Sequence, residues 1–232
     1  MKRILHIVLN IEQMNLSQVV QHEIQSSAFI LEAMHAEIVN ISSLARFLQP
    51  VIVRKMNQDV SIGALSMAIK RLPIAAQMQA EKSISKFMTQ LGDITVRSDL
   101  ADFSYRNSDT LIECQARLLA YLKTDKRYFY SMCKGVDETT LVCSTSLSSR
   151  VQEIFSKETT IITRTGLAAV SVKLPTTNLD TYGVYYTILK RLAWRGINIV
   201  EVISTSHEIS LIISNEDVEE VFAQVLSLKH QR

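Results

Sequence analysis

Gly183-Val184-Tyr185-Tyr186-Thr187-Ile188-Leu189-Lys190-Arg191-Leu192-Ala193 and, beyond Trp194-Arg195, Gly196-Ile197-Asn198-Ile199-Val200-Glu201-Val202-Ile203-Ser204-Thr205-Ser206 form the stretch whose reading decides the fold. Val184, Ile188 and Leu192, with Tyr185 and Leu189 beside them, recur at three- and four-residue spacing, the period of a helix with one buried stripe. Gly196 stands where a glycine closes such a helix. The β-branched run Asn198 to Ser204 then reads as a strand, and His207 to Ser214 as a second one. Upstream, Asp180 or Thr181 is placed to cap the helix, and Leu167 to Leu174 is a strand that Pro175 ends. Glu216 to Leu228 adds an amphipathic helix with acidic residues in its first turn, where the helix dipole favours them. The order is strand, helix, strand, strand, helix.

The same order precedes it. An offset of 70 lays Leu118 on Ile188, Leu119 on Leu189, Leu122 on Leu192, Phe129 on Ile199, Leu141 on Leu211, Val151 on Val221 and Phe155 on Val225. A repeat of that length is a duplicated small domain, too long for a solenoid unit. Its elements are a strand near 94–105, a helix from Ser108 to Leu122, strands near 127–133 and 138–144 joined at Gly135, and a helix near 146–157. Thr159 to Thr163 is a further strand that completes this copy as its fourth, before Gly166 opens the second. The second copy has no matching last strand. Before Gly92 the period is helical, through Ile4, Ile7, Val8, Val19, Val20, Ile24, Ile30, Leu31 and Met34.

Composition narrows the function. With 47% apolar and 21% charged residues the chain builds a core and is not a disordered tail. A net charge of +2 is too mild to identify a nucleic-acid or membrane partner. Cys114, Cys133 and Cys143 form no CxxC pair and are read as reduced thiols; the five histidines show no metal-ligand spacing, so no metal or other cofactor is expected. GxxxxGK[ST], GxGxxG and GxSxG are all missing from the sequence. No nucleophile and base stand together, although His207 with Glu201 is one pairing that a fold can bring about. Met1 to Leu9 imitates a signal peptide, but Asn10 and Glu12 follow at once, and the segment is read as a helix of a cytoplasmic protein without a membrane span.

In the helical half, Asn40 to Pro50 and Val60 to Leu72 look like two capped helices in succession, the second capped by Ser61 and closed before Pro73. The Ser43-Leu44-Ala45-Arg46 opening and the Lys70-Arg71 end resemble winged-helix, helix-turn-helix regulators. Between Asn40 and Leu72 five basic residues stand against one acid, a local excess of +4. DNA is therefore a candidate partner, with Arg46, Ser61, Ser66, Lys70 and Arg71 near phosphate or base edges. A helical packing or dimerisation domain fits equally well. The connection from Pro50 to Ser61 is longer than the usual turn of such a motif, and no β-wing follows.

Over roughly 167–214 the strand order and the two quoted segments resemble the ACT domains of aspartate kinases; the first copy resembles them in pattern only, and residues 1–90 not at all. Taken with the helical period before Gly92, which gives an N-terminal all-helical domain (1–90), the resemblance implies an α+β chain that continues as two tandem ferredoxin-like βαββα(β) ACT domains (92–165 and 166–232). It also implies side-by-side packing, often as a homodimer, around a small-molecule ligand, an amino acid. Gly183 and Val184 at the helix start then approach the ligand carboxylate through backbone N–H groups. Asn178, Asp180 and Thr181, with Glu201, receive its ammonium group, and Val200, Ser204, Thr205 and Ser206 line the site. Capping for Asp180 and a solvated strand face for Glu201 are the plain structural alternatives. The chain departs from those kinases at His207-Glu208, where they carry Thr-Ser-Glu, and at Ile199-Val200, one residue longer than their common form. The likeness does not reach catalysis, since 90 helical residues cannot supply a kinase domain. The whole layout resembles small prokaryotic proteins that join a helical region to ACT-like repeats. The expected role is non-catalytic regulation, with assembly through paired modules as the alternative.

Overall fold

Asn15, Ser27, Asn40 and Ser61 each accept a backbone N–H three residues on, and each opens a helix: α1 (Leu16–Gln25), α2 (Ala28–His35), α3 (Ile41–Met56) and α4 (Ile62–Lys70). In the computed structural model the described residues are 14–72, 83–123 and 127–230, so the expected helix at Met1 to Leu9 and the stop at Pro73 lie outside them. The chain forms two compact units, Met1–Glu81 and Lys82–Arg232. In the first, Val19, Val20, Ile24, Leu44, Leu48, Ile52, Leu65 and Ile69 are the centre of one apolar core. Glu23 is tied to Lys55 across helices. Burial raises the Glu23 carboxyl, but hydrogen bonds from Lys55 and His22 outweigh it and hold the carboxyl below its ordinary value.

Pro50 does not end a helix, as its sequence position suggests. It sits on the exposed side of α3, which runs on to Met56 and stops at Asn57 in the left-handed region. An interior proline costs about 3 kcal/mol; the buried stripe Leu44, Ala45, Leu48 and Ile52 spans it and offsets that cost.

The second unit opens with α5 (residues 83–89) and holds a six-stranded antiparallel sheet. Its elements are β1 (Ile94–Arg106), α6 (Leu111–Leu122), β2 (Tyr130–Lys134), β3 (Glu138–Ser144), α7 (Ser148–Ile154), β4 (Thr160–Lys173), α8 (Val184–Ala193), β5 (Ile199–Thr205), β6 (Glu208–Ser214) and α9 (Val218–Lys229). The sheet order is β2-β3-β1-β4-β6-β5.

The strands expected at 159–163 and from 167 are one strand of 14 residues, continuous through Gly166. The 13-residue β1 is equally long. Its Leu100–Arg106 part lies between β3 and Thr160–Leu167 of β4, whereas Ile94–Arg97 pairs with Ala169–Val172 of β4. The last strand missing from the second repeat is therefore supplied from in front of the first one. Register shifts between Arg97 and Leu100, and Asp99 at φ 59, bend β1 where it passes from one half to the other.

Strand alternation puts Ala101, Phe103 and Tyr105 under α6 and α7, and Val170, Val172, Leu211 and Ile213 under α8, α9 and α5. Phe103, Tyr105 and Phe155 stack in sequence. The offset of 70 lands on equivalent core positions, since Leu118 and Ile188, Leu141 and Leu211, and Val151 and Val221 are all fully buried. Among the described residues of this unit, the helices pack on that one face, and the opposite face has its own apolar cluster. There the sheet curls enough for Leu100, Val142, Leu167, Ala169 and Ile212 to bury one another, with Phe129 and Val200 from its two ends packed against them.

Candidate ligand site

α8 begins at Gly183, whose φ of 83 lies in the left-handed region. Neither Asp180 nor Thr181 caps the helix. Thr176–Asp180 is a 3-10 turn, and Thr181 Oγ1 donates to the Thr177 carbonyl at 2.9 Å. The helix start relies instead on Gly183, whose carbonyl accepts both N–H and Oγ1–H of Thr187 at 3.0 Å. A Cβ on Gly183 would stand 2.8 Å from Cδ1 of Ile84, the movable end of that side chain, so glycine is set here chiefly by its backbone conformation. The first N–H groups of any helix have no partner within it, and α8 directs them at this end of the sheet.

The β5–β6 hairpin turn meets the same end. Asn178, nearly buried, donates from Nδ2 to the Ser206 carbonyl at 3.4 Å, and the Tyr185 hydroxyl lies 2.7 Å from Ser204 Oγ. Thr205 Oγ1 accepts the His207 N–H. Asn178, Thr181, Gly183, Ser204, Thr205 and Ser206 thus share one end of the sheet. Val184 does not face it, being buried in the core at 3% exposure. Asp180 is exposed at the end of its turn.

Val200 and Glu201 lie elsewhere. They line a groove of about 350 Å³ along β5 with Leu189, Ala193 and Ile197. Thr205 pairs with Glu208 and Glu201 with Ile212, so four strand steps of ~3.3 Å, about 13 Å, separate Glu201 from the turn that carries His207. A Glu201–His207 catalytic pair is therefore not formed.

In the first half the corresponding loop is closed by its own side chains. Asn107 Nδ2 donates to the carbonyls of Gly135 and Val136, its Oδ1 accepts from Thr139 at 2.6 Å, and Ser108 and Thr110 donate to Glu158. The open end belongs to the second half.

One residue was not singled out from the sequence. Asp102 on β1 is 0% exposed, on the face opposite the helices, where its Oδ2 accepts from Arg164 at 3.2 Å. Burial pushes its carboxyl up, and the Arg164 guanidinium only partly opposes this. Glu201 is raised too, first by burial and then by the Asp102 carboxylate. The curl of the sheet thus brings β5 electrostatically close to β1. By alternation Asp102 falls with Ser104 on the face away from Ala101, Phe103 and Tyr105, where a polar residue is ordinary, so nothing local in the sequence marks it as buried.

In the helical unit Arg46 is exposed and donates to Ser43 Oγ, Ser61 is occupied in capping α4, and Lys70 and Arg71 lie exposed at the helix end. Ser66 is half-buried. The α3–α4 connection is Asn57–Ser61, much shorter than the proline suggests.

Among solved structures, the ligand-free regulatory subunit of aspartate kinase from Thermus thermophilus aligns with 60% of this chain and 97% of its own length, at TM-score 0.50 and 17% identity. A structure of aspartokinase alpha and beta subunits aligns over 61% of this chain and 99% of its own, at TM-score 0.50 and 15% identity. At such identities the likeness shows the fold alone. The sheet-bearing unit has the fold of an aspartate kinase regulatory subunit. No family model matches the sequence, and no curated protein matches it. Among the described residues, no helix is long and apolar enough to cross a membrane.

Proposed function

We propose that this chain is a non-catalytic, cytoplasmic regulatory protein whose sheet is a pair of ACT-type modules, 92–165 and 166–232, that bind an amino acid and assemble as a homodimer. The observation that supports it most is the extent of the fold match, which takes in nearly the whole of a separately existing regulatory subunit. The open end of the second half, with the α8 N-terminus and the Asn178, Ser204 and Ser206 contacts, suits a ligand that carries a carboxylate. Regulation requires that the ligand bind two arrangements of the protein unequally. A thermal-shift screen against the twenty amino acids and common nucleotides tests the reading. One amino acid that raises the melting temperature supports it. No shift with any of them leaves an assembly scaffold, joined through the edge strands β2 and β5.

A second reading has an observation of its own. With α3 running past Pro50, the link to α4 contracts to Asn57–Ser61, and α4 exposes Gly63, Ala64, Met67 and Lys70 on one side. That suits a helix-turn-helix that contacts DNA, which makes the protein a ligand-responsive transcription regulator. Selection from random duplexes at low salt should then enrich a sequence, and Lys70→Ala should weaken its capture. Failure to enrich any sequence removes this reading.

A further inference from the structure

We propose that the groove between α2 and α3 in the helical unit is the face at which two copies of this chain join, about a two-fold axis near Phe47.

The groove measures about 570 Å³, and Ile30 of α2 with Leu44 and Leu48 of α3 give it apolar walls. Phe29 on α2 and Phe47 on α3 also line it, with 67% and 71% of their surface exposed, and Val51 follows one turn after Phe47. Exposed rings beside an apolar groove form a patch of the kind that marks an interaction site. The polar residues of the lining are already engaged within the unit. Ser27 and Asn40 cap α2 and α3, Ser26 donates to the Glu23 carbonyl, Ser43 accepts from Arg46, and the Glu23 carboxylate accepts from Lys55. A small polar ligand needs convergent polar groups to fix its orientation. These walls suit apolar side chains instead.

The patch is complementary to itself. An interface about a two-fold axis uses one surface twice, so that surface must hold both a projection and the recess that receives it. Phe47 and the groove beside it supply the two. Charge agrees with shape. Where two α3 helices cross antiparallel at Phe47, residues equally far before and after it come to face each other. Arg54, about two helical turns after Phe47, then meets the start of the other α3 at Asn40, about two turns before it. Glu37 lies just ahead of that start, and both Glu37 and Arg54 are exposed. The two-fold therefore sets the basic end of each groove against the acidic end of the other, which fixes the register of the pair.

This face rests on the reading above only for its homodimer, and not on amino-acid binding. The test is sedimentation velocity of the full chain over a range of concentrations, on the wild type, Phe47→Glu, Glu37→Arg, Arg54→Glu and the double variant Glu37→Arg/Arg54→Glu. The wild type should dimerise. Phe47→Glu should raise the dimer Kd about thirty-fold or more, as an interface hot spot does, and keep its helical circular-dichroism spectrum, because the ring is exposed in the single chain. Each charge reversal should weaken the dimer, and the double variant should restore it, the mark of two residues that act on each other. A dimer that Phe47→Glu leaves unchanged overturns this face and leaves the homodimer of the regulatory reading to the sheet edges. A wild type that stays monomeric overturns both; binding of 1-anilinonaphthalene-8-sulfonate to it and not to Phe47→Glu would then give the groove to a small apolar ligand. If Phe47→Glu does not fold, the charge exchange decides, and a double variant as weak as the single ones counts against the interface.

Discussion

Gly183 and Asp102 carry the local constraints most open to measurement. At φ 83, any L residue at position 183 adopts a conformation that costs ~1–2 kcal/mol, and its Cβ also meets Ile84. Gly183→Val should therefore lower the urea-unfolding free energy by about 2 kcal/mol without any ligand; a variant as stable as wild type would show that the α8 start relaxes freely. Asp102 gives a pH signature. Its folded-state value is raised, so the folded protein holds the proton more tightly than the unfolded chain. The stabilisation is full below the unfolded value and is lost as pH rises through the folded one. As pH rises from the unfolded value through the raised folded one, wild-type stability should fall through this group, and Asp102→Asn should remove that part of the slope. Glu201 is raised as well and adds a slope of the same sign, which Glu201→Gln separates. Parallel profiles for wild type and Asp102→Asn would mean that the buried carboxyl is not perturbed. Glu201 was legible in the sequence as an acid on the strand after α8, but its electrostatic coupling to Asp102 was not. No local rule joins positions 102 and 201, whose charges act on each other from different strands of the sheet.

At the scale of elements, β1 and β4 bind the two halves together. Each half borrows part of the other's strand, so neither closes its sheet alone. Ala169 is the sharpest place to test this, since it pairs with Arg97 on one side and Ile212 on the other and is fully buried. Ala169→Pro removes a ladder donor in a central strand. Hydrogen exchange should show β3 and β6 losing protection together, although only β6 borders position 169; native protection in β3 would mean that the halves unfold independently. Most elements were legible. Period-two alternation marked the strands, the stripe Val184, Ile188 and Leu192 marked α8, and the 70-residue offset matched core positions of the two halves. The continuity of β4 was not, because Thr165-Gly166 carries the chemistry of a turn and nothing local reveals pairing on both sides. The exchange of strands was hidden for the same reason: Ile94–Arg97 reads as the start of the first repeat and pairs as the end of the second. Pro50 misled in the opposite direction, since a buried stripe on both sides of it outweighs a local rule for ending helices.

For the whole molecule, the question is where the sheet-bearing unit starts. By period alone, residues 83–91 continue the helical half. Their side chains do otherwise: Phe87, Met88 and Leu91 are 3%, 2% and 4% exposed in the core beneath α8 and α9. Two further contacts secure the junction, with Gly92 N–H donating to the Lys173 carbonyl and Lys229 Nζ donating to the Gly92 carbonyl at 2.8 Å each. A fragment that begins at Lys82 should therefore fold, whereas one that begins at Gly92 lacks three large buried side chains worth ~1.5–3 kcal/mol each. That loss is comparable with the ~5–15 kcal/mol by which a domain of this size is stable. The longer fragment should unfold in one cooperative urea transition, and the shorter should be largely unfolded or have a midpoint lowered severalfold. Equal midpoints would mean that α5 only lies over a sheet that is already complete; a cooperative transition in the longer fragment alone would make α5 part of the sheet's core and put the start of the sheet-bearing unit at residues 82–83.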